Sequence, residues 1–216
     1  MTDWLSAAWM QTFTGKKYTP FEPHPDQIDI VDIAHALAMT CRFNGHSKWH
    51  YSVAQHSILV AEKAPAHLAL RALLHDAPEA YVGDLVRPIK TDESMAAFKN
   101  IESMAEMAIC TALDLPYPLM TPEIASLDHR ILLDERDRVM TVPPDDWNIE
   151  GQPLGVEIDM WTPEYARERF LRAYDEYSKW DALLTSFDPN MQVSQLRAMA
   201  QRMRDAESEL PLFTEV

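Results

Sequence analysis

The chain has 216 residues, 47% of them hydrophobic and 25% charged, enough for one domain with a substantial core and for two at most. A net charge of -15 excludes nucleic acid and acidic membranes as default partners, although a metal ion can invert the potential locally for a small anionic substrate. The 5 glycines leave little room for a tight-turned β-sandwich or a Gly-rich phosphate loop, and the 2 cysteines, Cys41 and Cys110, fit a reducing cytoplasm better than a disulfide framework.

Residues 1–30 read as an irregular arm, with aromatic Phe13, Tyr18 and Phe21 among Gly15, Pro20, Pro23 and Pro25 and a short hairpin at Thr14–Lys16. The N-terminus lacks a secretory pattern, and no apolar run reaches the roughly 18 residues of a membrane span, so a cytoplasmic location is expected. Asp32 is placed to cap a helix through Ile33, Ala36, Leu37 and Met39. Ser52 and Gln55 form a capping box opening a helix that carries His56 and stops near Pro65. A further helix covers Leu68 to Ala77, with Pro78 ending or bending it.

Residues 81–91 read as a loop, followed by a long helix from about Asp92 to Leu113. Two later helices open with one device, Thr121-Pro122-Glu123 and Thr162-Pro163-Glu164: Thr caps, Pro suits the first helical position and Glu complements the helix dipole. Residues 141–161 form a loop, and Asp188-Pro189 starts a final amphipathic helix. The expected fold is an all-α bundle with irregular connections. Residues 1–185 form the domain and 186–216 a C-terminal helical appendage. There Leu196, Met199 and Met203 share a stripe that faces either a second subunit or its own domain.

His56, His75, Asp76 and Asp128 each lie on or at the end of an otherwise apolar predicted helix. Imidazole and carboxylate groups facing a core are costly unless paired or metal-bound. One cation satisfies the whole set, and mixed nitrogen and oxygen donors suit Mn, Fe, Co, Zn or Mg. Singly, each has a structural reading; the spacing of the set carries the argument.

That set, His…His-Asp…Asp on successive helices, resembles the HD superfamily of metal-dependent phosphohydrolases. The local strings agree: Tyr51-Ser52-Val53-Ala54-Gln55-His56-Ser57, then Leu74-His75-Asp76-Ala77-Pro78-Glu79-Ala80, then Gly83-Asp84 with Pro88-Ile89-Lys90, and finally Leu127-Asp128. Cys41-Arg42-Phe43 resembles the basic-aromatic string before the family's first histidine. The likeness covers residues 30–140. The subgroup it resembles holds bacterial 5′-deoxynucleotidases, which cleave deoxynucleoside monophosphates, and phage-type dATP triphosphohydrolases, which release triphosphate.

The resemblance implies an HD-domain helical bundle in which His56, His75, Asp76 and Asp128 bind one divalent metal (Co, Zn, Mn or Mg). Metal-bound hydroxide would attack the α-phosphorus. Glu79 and Asp84 would sit beside the metal, one orienting water and one protonating the leaving oxygen. If the helix persists through Pro78, Glu79 shares a face with His75. Arg42 would clamp phosphate with its guanidinium fork. Lys90, and with less support Arg87, would hold further phosphates, and Phe43 would stack on a base or fill core. His46 is the one additional histidine close to Arg42.

The run Asp134-Glu135-Arg136-Asp137-Arg138 reads as a salt-bridged solvated face, although Glu135 falls two turns past Asp128. The expected activity is hydrolysis of dATP or another dNTP to deoxynucleoside and triphosphate. The alternatives are a 5′-deoxynucleotidase and a nucleotide-binding sensor without turnover. A phosphodiesterase would want a broader basic groove. The expected location is the cytoplasm (a host's, if phage-encoded), and the expected partners are a nucleotide, no long nucleic acid, no membrane and further copies of the chain.

Overall fold

The computed structural model describes residues 8–181 and 191–208, without the side chains of 181, 200 and 203–208. The boundary drawn at residue 186, the Asp188-Pro189 start and the Met203 side chain lie outside the described residues. No described helix is long and apolar enough to cross a membrane.

The arm is a small hairpin. Strand β1 (Met10–Gln11) pairs antiparallel with β2 (Lys17–Tyr18), and Gly15 closes the turn at φ +86°. Tyr18 is buried and stacks on Tyr81 with ring centroids 4.3 Å apart. Thr14 clips the turn to the next helix: its N–H and hydroxyl both donate to the Asp32 carboxylate, at 2.6 and 2.8 Å.

Helix α1 (Ile30–Met39) therefore begins earlier than the sequence predicts. Asp29, not Asp32, caps it by accepting from Val31 N–H at 2.9 Å. Asp32 is instead spent on the arm, buried in the first turn.

Helix α2 (Val53–Lys63) is the central element, packing against α1, α3 (Ala69–Leu74), α7 (Pro122–Val139), α8 (Pro163–Asp181) and α9 (Val193–Ser208). Nine of its eleven residues are buried, Gln55, His56 and Ser57 among them. Ser52 caps it, but only half of the expected capping box forms. The Gln55 amide reaches away and donates to the Asp159 carbonyl at 2.9 Å, tying the 141–161 loop to α2.

The helix predicted over 68–77 is interrupted. A 3₁₀ turn at Ala66–Leu68 leads into α3, which stops at Leu74; a turn carries His75 and Asp76, and Pro78 starts the single-turn α4 (Glu79–Val82). The expected loop 81–91 contains another helical turn, α5 (Arg87–Lys90), because Pro88 sits at its second position, where the missing N–H costs nothing. Helix α6 (Ala96–Ala112) follows a 3₁₀ turn at Glu93–Met95.

Thr121 and Thr162 both cap as the sequence predicts, accepting from Ile124 and Tyr165 N–H. Residues 141–161 are the expected loop, pinned along α7. The Asp134 carboxylate accepts from the amides of Leu154, Gly155 and Val156 at 2.7–3.1 Å, and Arg138 donates to the Ile158 carbonyl.

Helix α9 docks on its own domain through buried Val193 and Leu196. Ala66 N–H donates to the Met191 carbonyl, and Arg197 forks onto Glu176 with Nε at 3.0 and a terminal nitrogen at 2.9 Å. Cys41 is half-buried, Cys110 is buried, and neither is in a disulfide.

Candidate active site

Three elements bring the predicted donors together. Helix α2 supplies His56, the turn after α3 supplies His75 and Asp76, and α7 supplies Asp128. His56 Nε2 lies 3.2 Å from an Asp128 oxygen and 3.5 Å from Asp76 Oδ2; His75 Nε2 lies 3.2 Å from Asp76 Oδ2 and 3.9 Å from Asp128. Both imidazoles are buried, with ring centroids 5.4 Å apart.

The tautomers follow from the far side of each ring. His75 Nδ1 is 2.7 Å from the Ala72 carbonyl, which can only accept, so Nδ1 carries the proton. His56 Nδ1 is 2.8 Å from the Glu135 carboxylate and donates likewise. In the neutral rings each Nε2 then presents a lone pair towards two carboxylates, and neither Nε2 makes a hydrogen bond. Lone pairs and carboxylates crowded together in a buried place call for a cation. His56, His75 and Asp76 offer donor atoms within 4.8 Å of one another, a set that can hold a metal ion, and Asp128, outside that set, lies 3.2 Å from His56 and 3.9 Å from His75.

The surroundings favour positive charge at this place. Burial and Arg42 oppose the charged form of His56, but Glu135 and Asp128 outweigh them and raise its pKa to about 9, so near neutral pH a proton sits on Nε2 unless a metal ion takes its place. Burial likewise opposes a charged Asp76, yet the two histidines and Arg42 hold its carboxyl far below the usual range.

Glu79 is also aimed inward, by a different route from the one expected. The helix does not persist from His75; Glu79 opens α4, and its carboxylate is 7% exposed with Oε2 lacking any partner. Burial and the Asp76 and Asp84 carboxylates push its pKa well above the ordinary value. Asp84, half-buried after Gly83, is also raised, chiefly by burial.

The basic residues divide. Arg42 stands at the cluster, 3.9 Å from Asp76 and 3.0 Å from Glu135, with its guanidinium 5.3 Å from the Phe43 ring. Phe43, half-buried, tilts against Trp147 of the long loop at 5.9 Å. Lys90 is not free for a ligand: it bonds Glu102 at 2.5 Å and lies 3.6 Å from Glu79. Arg87 is bonded to His129. His46 is exposed on the turn after Arg42.

The residue that the charge-run reading undervalues is Glu135. It is fully buried and accepts from Tyr51, His56 and Arg42. Asp134 and Arg138 likewise serve the loop rather than solvent; the Arg136–Asp137 pair fits the predicted solvated face, with Asp137 largely exposed. The available signal was spacing: Ile124, Asp128, Ile131 and Glu135 fall on one α7 face.

Comparison with known proteins places this geometry in context. A family model described as 5′-deoxynucleotidase YfbR-like matches residues 31–122. The Escherichia coli (strain K12) protein YfdR is 31% identical over 175 residues, covering 80% of this chain and 97% of that one. The Rhodobacter capsulatus protein RCAP_rcc00048 is 41% identical over 127 residues, covering 55% of this chain and 64% of that one.

Proposed function

The chain belongs to the YfbR-like 5′-deoxynucleotidase family of HD-domain nucleotide phosphohydrolases, and on that premise we propose that it hydrolyses deoxynucleoside monophosphates, using a divalent metal held by His56, His75, Asp76 and Asp128. The observation that carries the reading is the pair of buried Nε2 atoms without hydrogen-bond partners, set against two carboxylates. A bound divalent cation would supply Lewis acidity and a water ionised near neutral pH.

The chain's own groups do the rest. Arg42 has one terminal nitrogen fixed by Glu135 and the other beside Asp76, where it meets a phosphate oxygen at the cluster edge. Glu79 and Asp84 flank the cluster as the pair that orients water and protonates the leaving ester oxygen. Phe43 and Trp147 offer an aromatic wall next to Arg42.

The cations around the cluster bear on phosphate number. A triphosphate needs several, and Lys90 and Arg87 are engaged with Glu102 and His129. Among the described residues Arg42 is the cation left at the cluster, which suits one phosphate group and favours the monophosphate over the dATP reading.

The test is product analysis with each dNMP, NMP and dNTP in the presence of Mg, Mn, Co or Zn, and again after chelation. The expected result is orthophosphate and deoxynucleoside from dNMPs, abolished by chelation and restored by metal. Triphosphate release from dNTPs would replace the monophosphate reading. Inertness with every metal and substrate would overturn nucleotide hydrolysis altogether.

A further inference from the structure

Glu135 accepts more hydrogen bonds than any other described carboxylate at the cluster, and the donors belong to two different halves of it. Oε1 accepts from the Tyr51 hydroxyl at 2.9 Å and from His56 Nδ1 at 2.8 Å; Oε2 accepts from an Arg42 terminal nitrogen at 3.0 Å. These donors reach it from neighbouring segments, because Arg42 N–H bonds the Tyr51 carbonyl and Cys41 pairs with Ser52 just before α2 begins. Glu135 itself comes from α7, the helix that carries Asp128. Burial of a carboxylate at 0% exposure is unfavourable unless each oxygen is bonded, and here each is.

We propose that Glu135 is a positioning residue that sets the metal side and the phosphate side of the site with one carboxylate. The inference rests on the metal-dependent reading above. On the metal side, Oε1 fixes the His56 proton on Nδ1 and so turns the Nε2 lone pair towards Asp76 and Asp128. Without that acceptor the opposite tautomer becomes accessible and puts a proton where a cation needs a lone pair. On the phosphate side, Oε2 anchors Arg42. Its other terminal nitrogen is 3.9 Å from Asp76 Oδ2. Released from Glu135, the guanidinium is free to close on Asp76, competing with a cation for that oxygen and withdrawing from an incoming phosphate.

The experiment uses the full chain carrying Glu135→Gln. The carboxamide has the same shape but only one acceptor oxygen, so it satisfies His56 or Arg42 and not both. Metal affinity is measured by competition with a chromophoric chelator, and KM for a deoxynucleotide alongside it. We expect a loss of about tenfold or more in one of the two quantities, while Tyr51→Phe, which spares both bonds, stays within about twofold. A cooperatively folded Glu135→Gln protein within about twofold of wild type in both would overturn the proposal. If the variant does not fold, ¹⁵N spectra of the histidine rings in the zinc-loaded wild type decide it: Nδ1-protonated His56 is expected, and Nε2-protonated His56 overturns the role. A wild type that binds no divalent metal would remove the proposal together with the reading it rests on, whereas metal affinity and KM both unchanged in the variant remove only the role of Glu135.

Discussion

Single side chains at this site are distinguished by what their atoms already bond. His56 and His75 each have one nitrogen engaged and one left over; Glu79 keeps an oxygen without a partner; Lys90 has been taken by carboxylates. Exchanging Glu79 for Gln, or Asp84 for Asn, is expected to lower kcat by about 10²- to 10⁴-fold, because each removes a proton carrier and no metal donor. Chelator competition should leave metal affinity near wild type in both; a parallel loss of affinity would show that they are ligands instead. The two histidines and two aspartates stood out in the sequence because each lies on or at the end of an otherwise apolar predicted helix. Glu135 was obscured by its neighbours. A run of alternating charge reads as solvated, and only the seven-residue step from Asp128 points inward. Lys90 misleads in the opposite sense: its loop position implies freedom, and its partner Glu102 comes from α6, which no local pattern reveals.

Among the elements, helices with a side-chain cap were legible at their starts, because Ser52, Thr121 and Thr162 bond an amide three residues on, whatever surrounds them. Where two residues compete, tertiary contacts decide. Asp29 and Asp32 both suit the start of α1, and Thr14 of the arm claims Asp32. The single turns α4 and α5 are too short for a hydrophobic period to show. The long loop is held largely by Asp134, so Asp134→Ala is expected to reduce unfolding free energy by roughly 1–3 kcal/mol, read as a lower denaturant midpoint at unchanged slope. An unchanged midpoint would mean that water replaces the carboxylate at no cost.

For the whole molecule, the net charge of -15 opposes the approach of an anionic substrate. Salt screens that field over about 10 Å at 0.1 M, so kcat/KM is expected to rise as ionic strength increases from low to physiological. A fall would point to a basic approach path absent from the geometry described above. The folded chain also closes the site from its two ends: Arg42 and Glu135 meet across 93 residues of sequence, with both histidines and both aspartates between them. During synthesis, Arg42, His56 and His75 leave the ribosome well before α7 can offer Asp128 and Glu135. A chain cut short before α7 has three of the four donors and no buried acceptor for either His56 or Arg42. On the metal-dependent reading proposed above, tight metal uptake is then expected only once α7 has docked.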